Sequence, residues 1–237
     1  MQETLSDFSE NHTSNMERYD IINSIIEKKG YKTYLEIGVR NPWDCFHRIN
    51  CETKHSVDPG YETGGGPNYA TYHFTSDDFF TNLRSGSLDL PADQKWDLIF
   101  IDGLHLAYQS YRDFLNSTLH LNENGVIVFH DTNPPTIHHG REDHHDFSTS
   151  AEGWWNGTVW KSIQRIRTNP VGLDSKEFNM ITIDSDWGVT VCWRDIFVQR
   201  ISPGYNEFFD YNLFSSKRQE ILNLLSVEEF KTWLEKF

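Results

Sequence analysis

Two short apolar runs constrain this chain most: residues 96–101, Trp-Asp-Leu-Ile-Phe-Ile, and residues 125–129, Gly-Val-Ile-Val-Phe. Each has the length of a buried strand, bounded by polar residues. Ionisable groups close both runs: Asp102 and His105 after the first, His130 and Asp131 after the second. In an open parallel α/β sheet the ligand crevice lies beyond the carboxyl ends of the strands. These four side chains are therefore expected to share one crevice. Paired carboxylates and imidazoles there point to a metal or acid/base site rather than a structural ion pair.

The rest of the pattern alternates strand and helix. Residues 16–29 carry Ile21, Ile22, Ile25 and Ile26 at helical spacing, and Gly30 stops that helix. Residues 33–38 read as the first strand. Residues 42–49 read as a helix with Asn41 as N-cap and Pro42 at the first position. A second strand covers 54–58, a third 71–74, a fourth 96–101 and a fifth 125–129. Helices are expected at 77–83, with Ser76 as cap, at 106–120 and from 157 to 167. Residues 132–155 form a long loop with His138, His139, His144 and His145. Residues 178–183 and 188–193 read as a final antiparallel pair, followed by short helices near 215–225 and 226–236. This order predicts an α/β, Rossmann-like doubly wound sheet: five parallel strands plus the antiparallel pair, with helices on both faces. One domain is expected at 31–195, preceded by a polar segment and helix at 1–30 and extended by helices at 196–237. Residues 1–15 are expected to fray.

Composition narrows the function classes. The formal charge is −14 and lysines and arginines are scattered, which argues against a nucleic-acid partner. No apolar run approaches the roughly 20 residues of a membrane span. Three cysteines without a Cys-x-x-Cys pair read as reduced thiols. With neither a basic n-region nor an apolar h-region after Met1, the expected location is cytoplasmic.

Gly38 at the end of the first strand lets the backbone turn tightly and approach a ligand. Asp58 ends the second strand, where a carboxylate can accept both ribose hydroxyls of an adenosine group. It also precedes Pro59-Gly60, so a turn role is the alternative. No G-x-G-x-x-G is present, because Val-Arg-Asn-Pro follows Gly38. A dinucleotide pyrophosphate therefore lacks its cradle. An adenosine ligand without a pyrophosphate fits better, and S-adenosyl-L-methionine (SAM) is the candidate.

Six strings in order carry a family resemblance: residues 35–46, 57–59, 75–80, 99–105, 129–131 and 155–161, with the Asp102-Gly-Leu-His105 tetrad inside the fourth. Over roughly residues 30–195 the chain resembles the class I SAM-dependent methyltransferases of the methyltransferase 24 group. That group includes small-molecule and sugar O-methyltransferases, some of them magnesium-dependent. The resemblance implies that Glu36 and Gly38 line the methionine end of SAM, that Asp58 holds the ribose, and that Ser76 and Asp77 flank the adenine. Asp102 and Gly103 complete the cofactor set. The usual Gly-x-Gly loop departs here, with Arg40-Asn41 in place of its second glycine. The acceptor implied is a sugar, glycan or glycosylated small molecule, and the setting implied is a homo-oligomer or a glycosyltransferase-associated protein.

Methyl transfer to an alcohol needs alignment and loss of the hydroxyl proton. His105 is the expected base, because an imidazole titrates near neutrality; Asp102 is its catalytic partner. Asp102, His130 and Asp131 offer a divalent metal site for Mg²⁺ or Mn²⁺, although an imidazole at 130 favours softer metals. Trp154 and Trp155 are candidates to stack on a sugar face, or to be core. Lys161 is a candidate contact to an acidic substrate, or a solvated helix charge. Two other readings compete: a metal-dependent hydroxylase-like enzyme on the same fold, and a non-catalytic SAM-binding module.

Overall fold

The computed structural model describes residues 16–237; the polar segment 1–15 lies outside the described residues. Helix α1 (Arg18–Lys29) buries the four isoleucines that the spacing picks out. Glu17 and Asp20 form its capping box, and Gly30 ends it at φ 67° in the left-handed region. Strands β1 (Thr33–Ile37), β2 (Thr53–Val57), β3 (Trp96–Ile101) and β4 (Leu121–Phe129) pair in parallel. The antiparallel pair is β5 (Phe178–Ile183) and β6 (Val189–Arg194), with β6 lying against β4. A short strand β7 (Leu224–Leu225) adds to β5, giving the order β2-β1-β3-β4-β6-β5-β7.

Helices cover both faces. Helices α2 (Ser76–Arg84), α3 (Ala107–Leu119) and α4 (Val159–Thr168) bury Phe79, Phe80, Phe114, Trp160 and Ile163 on one side, beside Ile99, Ile101, Ile127 and Phe129 of the sheet. Two short helices, α5 (Tyr211–Ser216) and α6 (Arg218–Leu222), join that layer through Phe214, Ile221 and Leu222. On the other side, α1 and α7 (Val227–Lys236) pack on Leu98, Phe100, Val126 and Val128. Because alternate strand residues face opposite layers, an uninterrupted apolar run is what such a sheet requires. Among the described residues no helix is long and apolar enough to cross a membrane.

The fold class is the one expected, with local differences. The third strand at 71–74 contracts to a single parallel bridge between Tyr72 and Val57. Thr71 there spends its hydroxyl on Ser56, and His73 turns back to the carbonyl of Ala70. The helix at 42–49 is a turn followed by one 3-10 turn, Phe46–Arg48. Cys45 is not helical (φ −145°), and Lys54 Nζ takes the carbonyls of Phe46 and Ile49. Thr75, not Ser76, caps α2, its Oγ1 accepting the N–H of Asp78 at 3.2 Å.

Candidate active site

Strand register builds the site. Val57 pairs with Ile37, Ile37 with Ile101, and Ile101 with Phe129. The next residue on each strand, Asp58, Gly38, Asp102 and His130, therefore leaves the sheet along one edge. Strand β6 runs the other way and pairs Thr190 with Phe129, so the turn that precedes it reaches the same edge. A cleft of about 730 Å³ opens there, lined by residues from every one of these turns.

At one end, Gly38 takes φ 88°, and a Cβ would strike the carbonyl of Asp102 and the Cα of Gly103. Asp58 organises the loop that follows: one oxygen accepts the N–H groups of Val39 (2.8 Å) and Arg40 (2.9 Å), the other that of Gly60 (2.6 Å). In the absence of a second glycine, Arg40 itself adopts φ 43°. Asp58 thus lines the cleft while its carboxylate shapes the turn.

Glu36 is buried beside this loop and accepts a 2.5 Å hydrogen bond from Tyr34 Oη. Burial pushes its carboxyl up to about 8, against the stabilising Tyr34 bond. The folded protein therefore holds a proton there that the unfolded chain releases in the ordinary carboxylate range. Stability from this group is complete below that range and falls as pH rises toward 8. Glu36→Gln is expected to raise Tm over wild type at pH 9 and to match it near pH 4; equal melting at both pH values would contradict a neutral buried Glu36.

Farther along, Ser76 and Asp77 open α2. Gln109 donates from Nε2 to Ser76 Oγ and to Asp113 Oδ1, each at 3.0 Å, and Arg112 pairs with Asp77 at 3.1 Å. Burial raises the Asp113 carboxyl to about 6, opposed by its bonds to Ser76 and Gln109. Gln109 and Asp113 also line the cleft, which their helical positions do not announce.

The other end gathers the charged cluster. His105 Nε2 lies 3.3 Å from Asp102 Oδ1, and its Nδ1 lies 3.3 Å from Asp131 Oδ2. Its carbonyl accepts the N–H of Thr158 at 2.8 Å, and its ring stacks on Trp155 with centroids 5.1 Å apart. Gly157 is required beneath it, because a Cβ there would enter the His105 backbone. Burial disfavours an imidazolium at 105, but Asp131 and Asp102 outweigh it and raise the His105 pKa. His130 is held in the same way: Nδ1 sits 3.2 Å from Asp102 and 3.1 Å from Asp131, and Nε2 sits 3.3 Å from Asp186. Burial resists its charge too, and Asp131 and Asp102 again prevail. Asp131 adopts φ 58° and accepts from Asn156 Nδ2 at 2.7 Å.

Arg18 and Asp186 also go unannounced in the sequence. Arg18 Nη1 lies 2.9 Å from His130 Nε2 and 3.2 Å from Asp186 Oδ2, and its Nε lies 3.7 Å from Asp102. A charged residue at the start of an amphipathic helix carries no sign of this 168-residue contact.

Donor atoms of Asp102, His105 and Asp131 lie within 4.8 Å of one another. Nδ1 of His105 is buried without a hydrogen-bond partner. Two carboxylates and one imidazole fit a divalent cation. The structure groups His105 with these aspartates, while both ring nitrogens of His130 face Asp102, Asp131, Asp186 and Arg18.

Segment 132–155 closes the cleft without regular secondary structure. Arg141 is its hub. The guanidinium donates to the carbonyls of His138 (2.7 Å), Trp154 (2.8 Å), Asp143 (3.0 Å) and Glu152 (3.0 Å). Its own carbonyl accepts from Trp155 Nε1 at 2.8 Å. Trp154, Trp155, His144 and Phe147 thereby face the cleft. Lys161 is not among the residues that line the cleft; its ammonium lies 5.6 Å over the ring of Trp160. Arg141→Ala is expected to shift Tm by less than about 3 °C, because the loop is peripheral to the core. The same variant should open residues 138–154 to limited proteolysis. An unchanged digestion pattern would show that the guanidinium does not hold the loop.

Residues 35–132 match a family model described as a methyltransferase domain, the methyltransferase 24 family. No curated protein matches the chain. Among solved structures, the chain is similar to one assigned as a caffeoyl-CoA O-methyltransferase from Staphylococcus aureus, at 17% identity over 82% of this chain and 93% of the other, TM-score 0.47. It is also similar to an O-methyltransferase from Bacillus cereus in complex with SAH, at 11% identity over 80% and 86%, TM-score 0.45. A third is an SAH-bound methyltransferase from Podospora anserina, at 15% identity over 82% and 89%, TM-score 0.45. The family match runs from β1 through the turn after β4, the stretch that carries Glu36, Gly38, Asp58, Asp102, His105 and Asp131, so the likeness to a methyltransferase domain falls on the strands and turns that build the cleft.

Proposed function

We propose that this chain is a SAM-dependent O-methyltransferase that methylates a hydroxyl of a sugar, glycan or glycosylated small molecule. The observation that carries this reading is the setting of His105. Its ring stands between two carboxylates in a cleft that is also lined by Glu36, Gly38 and Asp58 and by the aromatic side chains of Trp154 and Trp155.

Transfer from a sulfonium to an alcohol is an in-line displacement, so the first contribution is alignment. In this reading Glu36 and the Gly38 turn receive the methionine end of SAM, Asp58 the ribose, and Ser76 and Asp77 the adenine. The acceptor hydroxyl lies against His105. As the oxygen attacks the methyl carbon, the carbon–sulfur bond breaks, S-adenosylhomocysteine (SAH) leaves, and the hydroxyl proton passes to His105. Asp102 and Asp131 hold the imidazolium that forms, and Trp155 fixes the ring plane. A divalent cation, when held by Asp102 and Asp131, would supply acidification of the bound hydroxyl.

The test is SAH release by purified protein given SAM and methyl glycosides or phenols as acceptors, with SAM affinity read separately by calorimetry. Binding with turnover supports the reading. Binding without turnover on any hydroxylated acceptor favours a non-catalytic SAM module. Absence of SAM binding ends the proposal.

A further inference from the structure

The turn between β5 and β6 is built against the preferences of its own residues. The N–H of Gly188 donates to the carbonyl of Ser185 at 2.9 Å, closing a turn over Asp186 and Trp187. Both central residues have positive φ, 44° and 63°, as in a type I′ turn. Such turns take Asn-Gly or Asp-Gly. Here tryptophan stands where glycine belongs, and a bulky side chain at positive φ is sterically disfavoured. Outliers of this kind persist only where the surroundings impose them, and they cluster at functional sites.

The anchoring contacts do not need the tryptophan side chain. Asp186 accepts from the backbone N–H of Arg18 at 2.8 Å and pairs with its guanidinium. The Trp187 carbonyl accepts from Asn133 N at 2.9 Å. An Asp-Gly turn would keep all of these. The tryptophan side chain adds a ring. That ring stacks on Trp154 with centroids 5.6 Å apart and planes 26° apart, and on His139 with centroids 5.6 Å apart. Trp154 stands on the same cleft wall and is 63% exposed. A large open indole beside a polar reaction centre is a binding feature, since it offers a flat apolar face at small entropic cost.

Resting on the methyl-transfer reading above, we propose that the strained turn serves the acceptor. Trp187 is a positioning residue that props up Trp154, and the open face of Trp154 receives the flat apolar face of the acceptor beside its reacting hydroxyl. The C–H face of a pyranose and an aromatic ring share that chemistry.

Two variants separate strain from packing. Trp187→Ala and Trp187→Gly lose the same ring, but only alanine retains the left-handed penalty. Trp187→Gly is expected to melt about 2–4 °C above Trp187→Ala, the reverse of their usual order. Both should raise the KM for the acceptor roughly tenfold, with kcat and SAM affinity within about twofold, as loss of one aromatic contact predicts. Methyl β-glucoside and phenol serve as probes, and the one that wild type methylates tells a sugar face from an arene. Trp154→Ala should give the same KM rise, and adding it to Trp187→Gly should cause little more. The inference is overturned if alanine melts at or above glycine, if acceptor KM is unchanged, if the two tryptophans act additively, or if wild type binds SAM but methylates neither probe. Failure to bind SAM at all sinks the proposed function instead, so the two failures are distinct.

Discussion

His105→Ala is expected to lower methyl transfer by about 10²- to 10⁴-fold while SAM affinity stays within about twofold. A positioned general base contributes on that order, and alignment of donor and acceptor survives its removal. The separation of effects follows from the geometry. His105 faces Asp102 and Asp131, whereas the residues at the cofactor end, Glu36, Asp58 and Ser76, make their hydrogen bonds elsewhere. The fold should also survive. Without the imidazole, Asp102 keeps His130, and Asp131 keeps both His130 and Asn156. His105→Gln retains much of the volume against Trp155 but cannot take the proton, so it should fall as far as alanine. Full activity in either variant would move the base to another residue.

Gly38→Ala is expected to abolish SAM binding and to destabilise the protein by about 4 kcal/mol, a fall of about 10 °C in Tm. Two costs add. Alanine at φ 88° bears the left-handed penalty of about 1–2 kcal/mol. Its Cβ would also meet backbone atoms of Asp102 and Gly103, which cannot retreat without breaking the 2.8 Å bond from Asp102 N to the Ile37 carbonyl. Gly86 provides the control. It has φ 71° with nothing within 4 Å of the added carbon, so Gly86→Ala carries the conformational cost alone. A Gly38→Ala protein as stable as Gly86→Ala would show that the close approach at Asp102 is relaxed at little cost.

The crevice is legible in the sequence because its strands are short apolar runs and their last residues are ionisable. Once β1, β3 and β4 are parallel neighbours in register, Gly38, Asp102 and His130 emerge together. What is not legible comes from residues whose local pattern says something else. Arg18 reads as the polar side of an amphipathic helix, yet it reaches Asp186 and His130 across the chain. Asp186-Trp187 reads as a hairpin turn of poor sequence, and the Trp187 ring that makes it so stacks on Trp154 and His139, residues distant along the chain. Residues 42–49 carry sound helix-start signals, but Lys54 takes the carbonyls that a continuing helix would use. Propensity loses there to two contacts from a half-buried ammonium on the neighbouring strand.

A crystal structure of the protein with SAH tests the central claim most directly. The account predicts homocysteine at Glu36 and Gly38, ribose beside Asp58, and the sulfur directed at His105, leaving room for a hydroxyl about 3–3.5 Å from the transferable methyl. SAH bound with its sulfur turned away from His105, or bound outside this cleft, would contradict it.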